Sequence, residues 1–190
     1  MLRIDGRTRV RPRSLANWCL ELLMAENRNR LPENTSFVIP RLICRDAAAE
    51  MAFCIRTFDA EELNRRPGPD GTVAHGLLKV GGEMIMIEGE WPTLPSRAPA
   101  PDGTSPVVIF VYVSDVDATI ERAVANGARV LVPVQNQFSG DRIAWLVDPA
   151  GHVWTVASRI EDTTAEERTA RWQQLLAEGN QSRVLTRACC

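Results

Sequence analysis

Few residues in this chain can do chemistry. Histidine occurs only at positions 75 and 152. An imidazole can act as a base, a metal ligand or a hydrogen-bonded structural group. His152 follows a turn glycine in Asp148-Pro-Ala-Gly-His152, a place that suits a structural role. His75 lies near the start of the apolar run Val73 to Val80, and two roles stay open for it: a hydrogen-bonded structural residue or a weak candidate for a catalytic base. Asp141-Arg142 reads as an ion pair closing a loop, with Arg142 meeting an anionic ligand as the alternative. The five cysteines, Cys19, Cys44, Cys54, Cys189 and Cys190, form no Cys-x-x-Cys pair. An odd, scattered set suggests reduced thiols in a cytoplasm, and Cys44 and Cys54 read as small buried hydrophobes.

These residues need a framework, and the clearest piece of it is 138–156. Ile143 to Val147 is β-prone, Asp148-Pro-Ala-Gly151 is a turn, and Val153 to Ala157 returns as a second strand. A two-stranded hairpin is not stable alone, so a larger sheet is required. Upstream, Phe37 to Cys44 reads as a strand and Asp46 to Phe58 as a helix with Ala48, Met51, Ile55 and Phe58 on one face. Glu61 to Arg66 reads as a polar edge strand, followed by the turn Pro67-Gly-Pro-Asp-Gly71. Val73 to Val80 and Met84 to Glu88 are strands joined by Gly81-Gly82. After a proline-rich linker the order starts again. Val107 to Val113 is a strand, Val116 to Asn126 a helix stopped at Gly127, and Arg129 to Pro133 a short strand.

The chain is therefore an internal repeat of βαβββ, in which Arg45-Asp46 and Ser114-Asp115 occupy the same place between strand and helix. One helix covers one face of four strands, so two units are expected to close into a curved sheet with a cleft on the uncovered side. Alternation sends Ile109, Val111 and Val113 to the helix and leaves Val108, Phe110 and Tyr112 toward the cleft. In the first unit the same rule sends Ile39, Arg41 and Ile43 there. Such a cleft is apolar and aromatic, with Arg41 as its one charge and an anchor for an anionic substituent.

Outside the repeat, residues 1–35 carry an arginine-rich arm and a helix marked by Leu15, Trp18, Cys19, Leu22 and Leu23. Asn17 and Glu21 interrupt that stretch and argue against a signal peptide. Residues 161–178 read as a last helix, opened by the capping box of Thr164 with Glu167 and apolar along Trp172, Leu175 and Leu176. A loose tail follows from Gln181. A net charge of −2 gives no global field toward nucleic acid or membrane, and no apolar run approaches a membrane span.

The stretches Val38-Ile-Pro-Arg-Leu-Ile-Cys-Arg-Asp-Ala-Ala-Ala49, Pro69-Asp-Gly-Thr-Val-Ala-His-Gly-Leu77, Val111-Tyr-Val-Ser-Asp-Val-Asp117, Gln137-Phe-Ser-Gly-Asp-Arg142 and Asp148-Pro-Ala-Gly-His-Val-Trp154 resemble the vicinal-oxygen-chelate superfamily, and in detail its PhnB-like branch. The branch usually has Trp at 139, Tyr at 54 and Gly at 59, where this chain has Ser139, Cys54 and Asp59. The resemblance implies an α+β fold of paired βαβββ modules forming curved mixed sheets around a cleft. It implies a domain over 36–172, with module one at 36–91, a linker at 92–106 and module two at 107–160; residues 161–190 supply a C-terminal helix and tail.

The resemblance also implies a place for a divalent metal, with ligands on the first and last strands of each module. Those places fall at Ile39, Val108 and Thr155. Aliphatic side chains have no lone pair to donate and threonine alone is a weak ligand, so no metal and no cofactor are expected. The expected function is binding of a small hydrophobic or aromatic molecule by Arg41, His75, Val108, Phe110 and Tyr112, in a cytoplasmic homodimer, with no nucleic-acid or membrane partner. The alternatives are a metal-dependent lyase, isomerase or dioxygenase, and an interaction protein that uses its N-terminal arm.

Overall fold

The computed structural model describes residues 35–100 and 105–177. The expected N-terminal arm and helix and the tail from Gln181 lie outside the described residues.

The first module starts with a short strand, β1 (Arg41–Cys44). It is shorter than the strand expected from Phe37, because its parallel partner is engaged only from Pro40 O onward. Helix α1 (Ala47–Phe58) follows, with Asp46 as its N-cap accepting from Ala49 N at 2.9 Å. The helix ends at Asp59, which turns left-handed at φ 54°. Three antiparallel strands complete the unit: β2 (Glu61–Pro67), β3 (Val73–Val80) and β4 (Glu83–Gly89). β3 and β4 are joined at Gly81-Gly82, both at positive φ as a tight hairpin turn requires. The sheet order is β1-β4-β3-β2, with β1 parallel to β4 and the polar strand β2 at the edge.

The second module repeats this plan with β5 (Val108–Tyr112), α2 (Val116–Ala125), β6 (Arg129–Asn136), β7 (Asp141–Val147) and β8 (Val153–Arg159). Its order is β5-β8-β7-β6, and β5 is parallel to β8. Asp115 caps α2 as Asp46 caps α1, accepting from Ala118 N at 3.0 Å. The fold is thus two βαβββ modules, each a four-stranded mixed sheet with one helix on it. β6 runs three residues beyond the expected end at Pro133, since Val134 packs on the core and Gln135 and Asn136 still pair with β7.

The modules meet at their helices. One core cluster joins Met51, Phe53 and Phe58 of α1 to Ile120 and Ala123 of α2 and to Trp154 of β8. Phe58 packs on Trp154 with ring centroids 4.7 Å apart. Arg122 donates to Thr57 O, and Arg56 Nε donates to Asn126 Oδ1 at 2.6 Å. Helix α1 is therefore covered on two sides. This explains why Glu50 and Cys54 are buried as well as the expected Met51 and Phe58.

Beyond β8, Thr164 and Glu167 form the expected capping box: Thr164 N donates to Glu167 Oε2 at 2.7 Å and Glu167 N donates to Thr164 Oγ1 at 3.1 Å. They open α3 (Ala165–Ala177). No residue of this helix is buried, and Trp172 packs on the ring of Phe138 with centroids 5.2 Å apart. Its apolar side is partly covered: Trp172 and Leu176 keep 39% and 38% of their surface exposed. Among the described residues no helix is long and apolar enough to cross a membrane.

Candidate functional site

Each sheet has a helix-covered face and an open one. On β1, Leu42 and Cys44 enter the core, so Arg41 and Ile43 point to the open face. On β4, Ile85 and Ile87 enter the core, which leaves Met84, Met86 and Glu88 on the open face. β3 contributes His75, directly opposite Glu88 in the ladder. Three neighbouring strands thus bring Arg41, Glu88 and His75 together.

Glu88 is the centre of this group. It is only 3% exposed. Arg41 Nε donates to its Oε2 at 2.7 Å and Arg41 Nη2 to its Oε1 at 2.9 Å. His75 Nδ1 lies 2.7 Å from Oε1. Burial alone would push the Glu88 carboxyl up, but the hydrogen bonds and charges of Arg41 and His75 outweigh it and hold the group below its ordinary value. An ionised carboxylate can only accept, so the proton of a neutral His75 sits on Nδ1 and Nε2 is the basic nitrogen.

The sequence-based picture of this face is therefore corrected in one respect. Arg41 is not the one charge of an apolar surface; a buried carboxylate lies beneath it and fixes both Arg41 and His75. The signal for Glu88 was present in the sequence. The run Met84-Ile-Met-Ile-Glu88 alternates, and the acid closes the face opposite the two isoleucines.

The second open face has a different character. Val108, Phe110 and Tyr112 are 40%, 54% and 52% exposed, while Ile109 and Val111 pack on the core as expected. The Phe110 and Tyr112 rings lie 5.2 Å apart. Phe110 sits opposite Thr155 of β8, and Thr155 opposite Trp145 of β7. At the rim, the buried Asp141 accepts from Ser139 Oγ at 2.8 Å and from Tyr112 Oη at 3.3 Å, and Arg159 Nε approaches it at 3.3 Å.

Asp141 and Arg142 do not pair with each other, contrary to the loop-closing ion pair read from their adjacency. They are consecutive residues of β7 and point to opposite faces. Arg142 instead holds Asp117 of α2 through two 2.8 Å hydrogen bonds and also donates to Asn136 Oδ1. Its guanidinium is occupied and is not a free anion contact.

The predicted site residues thus fall into two sets on two sheets: Arg41 with His75, and Val108 with Phe110 and Tyr112. What the modules share is the helix layer between them.

The remaining chemistry-bearing residues are structural. Asp148 accepts from His152 N at 2.8 Å and from Trp154 Nε1 at 2.7 Å, which locks the β7–β8 turn to the core. His152 Nε2 lies 3.6 Å from Cys44 Sγ, and burial keeps this histidine below its usual range. Cys44 and Cys54 are free, buried thiols, and burial pushes both upward. Cys54 Sγ donates to Glu50 Oε1 at 3.4 Å. Burial and then nearby Asp148 push Glu50 well up, favouring its protonated acid. A cavity of ≈ 490 Å³ lies beside the start of α1, lined by Arg45, Asp46, Asp70, Thr72 and Glu90, and contains none of the predicted site residues.

The donor set does not suit the divalent ion of the superfamily. Of the three expected ligand places, Ile39 precedes β1, Val108 is aliphatic, and Thr155 is buried between Phe110 and Trp145. The carboxylate on the last strand of the first module, Glu88, has both oxygens engaged by Arg41 and His75. Among the described residues no three His, Cys, Asp or Glu side chains are grouped to hold a metal ion.

Residues 36–156 match the sequence model of the Glyoxalase/Bleomycin resistance protein/Dioxygenase superfamily. An uncharacterised protein of Mycobacterium bovis is 37% identical over 131 residues, covering 67% of this chain and 86% of that protein. A putative glyoxylase, CFP32 of Mycobacterium tuberculosis, is 26% identical over 117 residues, covering 59% of this chain but 43% of its own length. Among solved structures, TioX from Micromonospora sp. ML1 superimposes with a TM-score of 0.53 at 29% identity, covering 65% of this chain and 98% of its own. The fosfomycin resistance protein FosX from Listeria monocytogenes, solved with Mn(II) and sulfate, gives a TM-score of 0.50 at 23% identity, covering 72% of this chain and 97% of its own; it is a likeness of fold.

Proposed function

Because the chain belongs to the glyoxalase/bleomycin resistance protein/dioxygenase superfamily, we propose that it binds a small hydrophobic or aromatic molecule on its open sheet faces without using a metal ion. The observation that carries this reading is the exposed aromatic pair Phe110–Tyr112, which stands beside the aliphatic Val108 at a place where the superfamily puts a metal ligand. A flat apolar surface with a few fixed polar groups suits recognition of a planar molecule. Within the superfamily, the Gly-Asp-Arg and Asp-Pro-x-Gly-His-x-Trp motifs favour the PhnB-like branch, and the scattered cysteines favour a cytoplasmic protein.

The aromatic set and the Arg41–His75 set lie on different sheets, so the reading includes a homodimer in which one chain's first sheet faces the partner's second. Two tests apply. Elemental analysis after purification without chelators is expected to find no stoichiometric divalent ion. Added nickel, zinc or manganese is expected to produce no glyoxalase turnover. One ion per chain, or turnover restored by any of these metals, would establish the metal-dependent alternative. In parallel, F110A and Y112A are each expected to weaken binding of benzamide, a neutral aromatic probe, by about tenfold. Unchanged affinity in both variants would remove the aromatic face from the site.

A further inference from the structure

We propose that Arg41, Arg66 and His75 form a subsite for the carboxylate of an organic acid on the open face of the first sheet. The inference rests on the small-molecule reading above and names the chemistry of the ligand.

The geometry of Arg41 supplies the first argument. Glu88 engages the side-on edge of the guanidinium through Nε and Nη2. A guanidinium offers five N–H donors in a planar fork. The end-on pair on Nη1 and Nη2 therefore stays available, with the spacing that a carboxylate matches in a bidentate contact. The Arg41 side chain is 53% exposed, so a ligand can reach it. Its fork is held in place by a buried carboxylate and needs little ordering on binding.

Arg66 supplies the second. It stands opposite His75 in the β2–β3 register, and cross-strand partners share a face with Cβ atoms about 5 Å apart. Arg66 takes part in none of the ion pairs among the described residues. The charged neighbours of His75 are then Glu88 on β4, Arg41 beyond it on β1, and Arg66 on β2. Lys79 lies further along β3, opposite Glu61. Arg41 pairs with the buried carboxylate and the register sets Arg66 across from His75, so Arg41, Glu88 and Arg66 sum to one positive charge.

His75 supplies the third. Its Nδ1 lies 2.7 Å from Glu88 Oε1, which fixes the ring and leaves Nε2 as the nitrogen not engaged by that carboxylate. The side chain keeps 26% of its surface exposed, so a ligand's carboxyl group can reach it. Binding is by hydrogen bonds and charge alone, and no covalent bond forms or breaks.

The test is calorimetry on the full chain at pH 7 with benzoate as probe and benzamide as its neutral counterpart. Benzoate is expected to bind about tenfold more tightly than benzamide. R66Q should weaken benzoate about three- to tenfold and leave benzamide unchanged, and R66K should restore part of the loss. H75N should weaken benzoate more than benzamide. Equal affinities for benzoate and benzamide, or wild-type behaviour in both R66Q and H75N, would overturn the carboxylate subsite. Benzamide binding that stays sensitive to F110A in that case would leave the aromatic reading standing. Failure of both probes to bind counts against both.

Discussion

Glu88 shows how much one buried carboxylate can organise. It sits under Arg41 and His75 with both oxygens occupied. Removing Arg41 would leave it buried with one partner. We expect R41M to lower stability at pH 7 by about 1–3 kcal/mol, read from urea denaturation midpoints. The pH dependence has a definite sign. Glu88 is held lower in the folded protein than in the unfolded chain, so its ionisation contributes stability above about pH 4.3 and loses it as acid protonates the folded carboxylate. The gap between R41M and wild type should therefore narrow below about pH 4; a constant gap from pH 7 to pH 3 would mean that packing of the arginine stem is responsible. The thiols give a second prediction at this scale. Cys44 and Cys54 are fully buried and held as thiols, so a disulfide reagent should label neither in the native protein at pH 8, and both on unfolding in urea. Peptide mass spectrometry reads the labelled positions.

At the scale of elements, the two helices start alike. Asp46 and Asp115 each accept from the backbone N–H three residues on. D46A and D115A should each cost about 1 kcal/mol in thermal or chemical unfolding; no change in either variant would show that tertiary packing alone sets these helix starts. Such elements were legible because their signals are local. Caps, the Gly81-Gly82 turn and the alternation of β5 all lie within a few residues. The capping box of α3 was legible for the same reason, and its packing was not, because amphipathic spacing does not say whether a partner surface exists. What the sequence concealed is long-range register. Arg41 and Glu88 are 47 residues apart and meet only because β1 runs parallel to β4. Likewise Arg142 finds Asp117 on α2, 25 residues away, and adjacency to Asp141 misled. Strand alternation alone would have separated that neighbouring pair. Glu50 became buried because α1 has two covers, a fact about the module junction that no single helical face reveals.

The described residues from Val38 onward form two sheets joined through a layer of helices, with the charged and aromatic faces on separate sheets. That arrangement argues for a second copy of the chain. Phe110 and Tyr112 are each more than half exposed, a large apolar presence for the surface of a monomer. Sedimentation at micromolar concentration is expected to show a dimer, and F110D to shift it toward monomer with the fold intact by circular dichroism. A monomeric wild-type protein would overturn this. The helical junction has one more consequence, for how the chain tolerates change. Met51, Phe58, Ile120 and Trp154 are among the side chains of the core cluster that joins the modules, an inner layer between the sheets. Phe110 and Tyr112 fasten nothing there. In a saturation library selected only for folding, the inner layer should therefore accept few replacements, while these surface aromatic positions accept many. Two copies of one βαβββ pattern can in this way carry different side chains on their open faces over a shared frame.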